Sequence, residues 1–198
     1  MSNEAIIGIS DHGGWAVLVT VAADGTLLDR RRVELVDDDL PKIPHHSEAQ
    51  RLPLDQAVAL VERVRASAER HAKLVLDAVA TTLPGRISIL GVALRQCQAL
   101  PPTIAERIKD YRAQNVADWV MYRRALAAAA EARSWAVHWY DAKKVFAAAS
   151  EALRISRSIE DLDAHFLQLR KSIGPPWNND HKLAMAAAIV AAIQIPPV

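Results

Sequence analysis

The chain has a single cysteine, Cys97. That excludes an internal disulfide and a cysteine-built zinc site, and it suits a reducing compartment, so a cytoplasmic location is expected. Net charge is nearly absent too. With 24 Lys and Arg against 23 Asp and Glu, the formal charge is +1, so nothing draws the whole molecule to nucleic acid or to a membrane surface, and any basic patch must be local. No basic leader followed by an apolar core opens the sequence (MSNEAIIGIS), so no signal peptide is expected. The most apolar tract, Leu183 to Ile195, is too short and too rich in alanine to span a bilayer. No internal repeat or low-complexity linker divides the 198 residues. The expectation is a single globular domain, 1–198, long enough to bury a real core.

What is present begins with a β-rich block, Ile6 to Val36. One apolar run, Ile6–Ile9, leads into Ser10-Asp11-His12-Gly13-Gly14. A second, Trp15–Val21, ends at Ala23-Asp24-Gly25, and a third, Thr26–Val36, follows at once. Asp-Gly between β-branched runs marks a hairpin, because its residues accept the positive φ of a tight turn. Three consecutive antiparallel strands are therefore predicted, with Asp11 just past the end of the first. Arg30-Arg31-Arg32 in the third strand is either a phosphate-binding patch or, given the flanking Asp29 and Glu34, a solvated edge. A proline-rich loop follows, carrying His45 and His46. No third ligand is placed by spacing, so these histidines read as solvated loop residues.

The remainder alternates helices with short strands. Apolar residues at steps of three and four from Leu54 to Leu83 predict a long amphipathic helix. Arg86–Leu94, apolar on both faces, predicts a central strand. Thr103 and Glu106 form a capping box at the head of helical sequence that runs to Arg133, in one or two pieces. Trp135–Tyr140 is a fifth strand, with Asp141 as cap of a helix from Ala142 to Leu153. Another helix is predicted from Ser158 to Ile173, with Glu160 and Asp161 in its first turn. The last helix begins near Asp180, whose face continues through Ala184, Ala187, Ala188 and Ala191. The tryptophans read as core or interface anchors and suggest a homodimer. Cys97 reads as a structural thiol.

The order βββ-α-β-α-β-α-α resembles the ribonuclease-H-like fold, and most closely the Holliday-junction resolvases of the RuvC type. The first end is Ile6-Ile7-Gly8-Ile9-Ser10-Asp11-His12-Gly13, where the family has IxGIDPG. The second is Asn179-Asp180-His181-Lys182-Leu183-Ala184-Met185-Ala186-Ala187-Ala188, where the family has DxxDAxAxA. The resemblance implies an α/β domain with a mixed five-stranded sheet in the order 3-2-1-4-5 and helices on both faces. It also implies catalytic and metal-binding carboxylates at Asp11 and Asp180 with Mg²⁺ or Mn²⁺ between them, because in-line attack on a phosphodiester needs charge stabilisation on both oxygens. His12 and His181, each following one of these acids, suggest Mn²⁺ or Zn²⁺ instead, with His181 as a ligand. The sequence departs from the family in two places. Ser10 occupies the family's acidic position and Asp11 falls one later, which in a strand reverses the side chain's face. The fourth strand ends Ala93-Leu94-Arg95-Gln96-Cys97, without the family's glutamate.

Three functions follow as expectations. The first is a ribonuclease-H-like domain with a degenerate metal site, associated with nucleic acid or serving in assembly. The second, if the chain is an enzyme, is a divalent-metal-dependent nuclease acting on branched or single-stranded nucleic acid. The third rests on a likeness of Gly8, Asp11, Gly13 and Gly14, with the Ala23-Asp24-Gly25 hairpin, to the first phosphate loop of the actin-like ATPases, and is a nucleotide-binding protein. Two structural readings stay open beside these: Asp11 as a turn residue and Asp180 as a helix-capping or dipole-complementing acid.

Overall fold

The computed structural model describes residues 3–157 and 161–193; the predicted helix start at Ser158 and Glu160 lies outside them. The strands are β1 (Glu4–Asp11), β2 (Trp15–Ala22), β3 (Leu27–Glu34), β4 (Ser88–Arg95) and β5 (Ala136–Tyr140). They form one five-stranded sheet in the order β3-β2-β1-β4-β5. β2 runs antiparallel to β1 and β3, whereas β1, β4 and β5 are parallel. This is the ribonuclease-H-like order expected from the sequence, with the Ser88–Arg95 strand beside the first strand.

Alternation along β1 and β2 divides the core in two. Ile7, Ile9, Ala16 and Leu18 join Val92 and Leu94 under the helices α1 (Leu54–Thr82), α2 (Ile104–Lys109) and α3 (Tyr111–Glu131). Ile6, Val17, Val19, Val21 and Ala93 face α4 (Val145–Arg157), α5 (Leu162–Ile173) and α6 (Asn179–Ile193). Each fully buried isoleucine or leucine contributes about 1.5–3 kcal/mol, and both faces of the sheet collect that contribution.

The local signals act as expected, with some shifts. Thr103 and Glu106 form the reciprocal capping box of α2. Asp110 then ends α2 and caps α3, accepting from the Arg112 and Ala113 amides, so the helical stretch is in two pieces. The long helix buries Val61, Val64, Ala68, Ala72 and Val79 as predicted, but Ala57 and Leu76 complete its stripe while Leu54 is exposed. The chain after Asp141 makes a turn, and α4 starts at Val145 rather than Ala142. Asp161 caps α5, accepting from the Asp163 and Ala164 amides.

α6 lies tight on the sheet because its contacting residues are Ala184, Ala187, Ala188 and Ala191. Gly8 is the matching feature on β1. A Cβ there would fall onto the backbone carbonyl of Ala184 and against the Ala188 amide, so only glycine lets strand and helix approach this closely. No helix among the described residues is long and apolar enough to cross a membrane.

Candidate functional site

The two predicted acids both stand at the C-terminal end of β1, but not together. β1 runs through Asp11, which pairs with Ala16 of β2. Asp11 is thus a strand residue with a fixed face, not a member of the turn; the turn is His12-Gly13-Gly14, closed by the His12 amide donating to Trp15 O at 2.8 Å. Gly14 has φ 80°, the left-handed conformation glycine adopts without a steric penalty.

Asp11 continues the Ile7–Ile9 face and meets α3. There Arg123 Nε donates to both carboxylate oxygens, at 2.8 and 2.7 Å. The pair is buried, with side-chain exposures of 6% for Arg123 and 1% for Asp11. Arg123 Nη1 also donates to Gln96 O, tying α3 to the end of β4. Burial pushes the Asp11 carboxyl up, and the Arg123 guanidinium pulls against that rise.

Ser10 takes the opposite face, toward α6. Its hydroxyl donates to Asp180 Oδ1 at 3.1 Å, and His12 Nε2 lies 2.8 Å from the same oxygen. Across from Asp180 the His12 ring stacks flat on Trp15, centroids 4.0 Å apart, and Arg32 lies over the Trp15 ring at 4.5 Å. Ser10, His12 and Asp180 are the residue types of a hydrolytic triad without its wiring. In a triad the imidazole stands between serine and carboxylate; here serine and imidazole both address the carboxylate, and among the described residues the Ser10 hydroxyl bonds to Asp180 and not to the imidazole.

Asp180 is not the cap of α6. Asn178 Oδ1 accepts from the Asp180 and His181 amides, leaving Asp180 in the first turn, where the helix dipole favours it. His181 turns inward, with Nδ1 2.6 Å from Asn178 Oδ1 and its ring against Trp177. Burial, aided by the Arg30 charge, lowers the His181 pKa.

The structure therefore does not gather Asp11, Asp180 and His181 into one ligand set. Among the described residues no group of three His, Cys, Asp or Glu side chains is placed to hold a metal. Arg95 ends β4, and its charge bears on Asp11. A divalent cation does not fit these residues: the face that has Asp180 offers beside it only the Ser10 hydroxyl and the His12 imidazole, one carboxylate in all, and the face that has Asp11 is already neutralised by Arg123.

The remaining candidates resolve as follows. Arg31 and Arg32 are paired with Asp29 and Glu34 along the edge strand. Arg30 instead reaches the carbonyls of Ile173, Gly174, Pro175 and Pro176, neutralising the C-terminal end of α5. Burial pushes the Cys97 thiol up, away from thiolate chemistry. His46 is exposed in the loop as expected, but His45 beside it is not: it is 1% exposed and bound to Asp118 of α3. Sequence reasoning passed over both Arg123 and Asp118. α3 carries five charged residues, Arg112, Asp118, Arg123, Arg124 and Glu131, and no local pattern marks Asp118 and Arg123 as the buried ones.

No family model matches the chain, and no curated protein matches it. Among solved structures it is similar to Thermus thermophilus RuvC in complex with a Holliday junction substrate, at 17% identity and a TM-score of 0.49, over 96% of this chain and 92% of that one. It is also similar to a second Thermus thermophilus RuvC structure, at 17% identity and a TM-score of 0.46, over 95% of this chain and 93% of that one.

Proposed function

We propose that the protein is a non-catalytic nucleic-acid-binding domain built on a ribonuclease-H-like sheet. The observation that carries this reading is an exposed, unpaired guanidinium at the C-terminal end of the sheet, where a metal-dependent nuclease needs anions. Arg123 occupies the Asp11 carboxylate, and Arg95 stands exposed at the end of β4 with no ion pair among the described residues. A guanidinium there repels Mg²⁺ and meets a backbone phosphate directly. Beside it lies a shallow hollow lined by Arg95, Gln96, Gln98, Asn115, Trp119 and Arg123. That lining offers cationic, amide and aromatic groups, the set that binds sugar-phosphate and base without strict sequence choice. The near-zero net charge makes the binding local and modest.

The test is fluorescence anisotropy with a four-way DNA junction and with a plain duplex, at low and at physiological salt. Binding is expected to weaken as salt rises, and Arg95→Glu is expected to reduce the salt slope by about 1 or more. The junction is expected to remain intact with Mg²⁺ or Mn²⁺ present. Mn²⁺-dependent cleavage lost in Asp180→Asn would replace this reading with the nuclease one, and salt-independent or absent binding would remove it.

A further inference from the structure

The hollow at the C-terminal end of β4 is built by two pieces of chain. Asn115, Trp119 and Arg123 recur every four residues along α3, so they share one face of that helix. Arg95, Gln96 and Gln98 complete the lining from the end of β4. Arg123 is its fixed member, since its guanidinium is held by Asp11 and by Gln96 O.

Trp119 is the member without a structural task. Among the described residues, Trp15, Trp135 and Trp177 pack into the two cores, whereas Trp119 joins neither. Trp139 also stays outside them, but it carries the Arg124 guanidinium over its ring. Trp119 has neither a ring nor a cation stacked on it among the described residues. Its indole is half-buried and lines the hollow instead. The amides around it are open as well. Asn115 Nδ2 donates to Tyr111 O at 2.8 Å, which leaves its Oδ1 to accept. The side chains of Gln96 and Gln98, both exposed, make no hydrogen bond among the described residues. A carboxamide both donates and accepts, so these groups meet the edge of any base.

Size decides what fits. The hollow has a volume of about 160 Å³, well below the roughly 300–1,000 Å³ of a site that takes a whole small molecule. It has room for one flat ring system that belongs to a larger ligand. In a duplex each base is stacked between neighbours and paired along its edge, so only an unstacked base can present a face to Trp119.

We propose, resting on the nucleic-acid reading above, that this hollow takes one unpaired base of a single strand. Trp119 is the stacking platform, the carboxamides of Gln98 and Asn115 meet the base edge, and the exposed Arg95 guanidinium meets the adjoining phosphate. What is recognised is the unpaired state and not a sequence, because every base has a face to stack.

Fluorescence anisotropy at physiological salt tests this with three probes: an oligo-dT strand, an abasic deoxyribose-phosphate strand of the same length, and an oligo-dT·oligo-dA duplex. The abasic strand keeps the phosphates and removes the bases. Oligo-dT is expected to bind about tenfold more tightly than the abasic strand, the contribution of one base stacked on an indole. Trp119→Leu should abolish that difference, and Trp119→Phe, which keeps an aromatic face, should retain most of it. In the unmutated protein, the indole Nε1–H resonance that is missing from the Trp119→Phe spectrum should move with oligo-dT and stay in place with the abasic strand. That measurement does not depend on how stably a variant folds. Equal affinities for oligo-dT and the abasic strand, or a stationary Trp119 resonance, would overturn the inference and leave salt-dependent nucleic-acid binding standing. Absence of binding to all three probes would remove both.

Discussion

Ser10 and Asp11 are neighbours in sequence and belong to different halves of the molecule. Ser10 looks toward α6 and shares Asp180 with His12 in a half-open setting. Asp11 looks toward α3 and is locked to Arg123 in a dry one. The pleat, not the residue type, decides which chemistry each can join. An acid at position 10 would face Asp180; the acid at 11 faces a guanidinium and is spent on structure. The same contrast distinguishes a region that can change its partners from one that cannot.

The largest effect is expected from closing the gap on the α6 side. Gly8→Ala places a methyl group on the Ala184 carbonyl and the Ala188 amide, and neither backbone can yield without moving the helix. A loss of about 3 kcal/mol or more is expected in urea denaturation. Near-normal stability would show that α6 slides freely, and the close approach that positions Asp180 would lose its meaning.

On the other face, Arg123→Met should cost about 3–5 kcal/mol, because it leaves the Asp11 carboxylate buried and unpaired. Asp11→Leu in the same chain should restore most of that loss, since two apolar groups replace two charges. If the single substitution is nearly neutral, Asp11 is not committed to Arg123 and the sequence expectation of a catalytic Asp11 returns.

A subtler change moves an acid across the pleat. Ser10→Asp puts a second carboxylate beside Asp180 and should cost about 1–3 kcal/mol as two like charges are held together in a nearly buried position. Mn²⁺ should then recover stability by mass action, more than in the unmodified chain. A melting temperature indifferent to Mn²⁺ would mean that more than one ligand is missing from this face, as Arg95 at the end of β4 suggests.

Much of this was legible in sequence, and the part that was not has a common cause. The Asp24-Gly25 hairpin, the Thr103–Glu106 capping box and the apolar stripe of α1 are local patterns, and each formed as its pattern demanded. The sheet order followed from the order of the elements. β1 runs two residues past its apolar run because pairing of Ser10 and Asp11 with Val17 and Ala16 of β2 overrides their poor strand preference. Arg123 and Asp118 were unreadable because their partners are 112 and 73 residues away, and no spacing rule reaches that far. The burial of His45 escapes the sequence for the same reason: loop composition describes its neighbours in the chain, while its burial is set by Asp118 of α3.

The smallest effect is expected at the residue most tempting to call catalytic. Asp180 and His12 are 24% and 37% exposed, so water and salt weaken their attraction, and exposed pairs of this kind contribute about 0.2–1 kcal/mol. Asp180→Asn keeps an oxygen for the Ser10 hydroxyl and keeps the helix start, which Asn178 caps. What it removes is one carboxylate charge at the positive end of α6, typically another 0.3–1 kcal/mol at low ionic strength. The net loss should therefore stay near 1 kcal/mol and shrink as salt is added. That leaves Asp180→Asn folded and usable as the control in the cleavage assay. A loss as large as that of Arg123→Met would erase the contrast between the two faces, and Asp180 would have to be counted with the buried framework instead of the open edge.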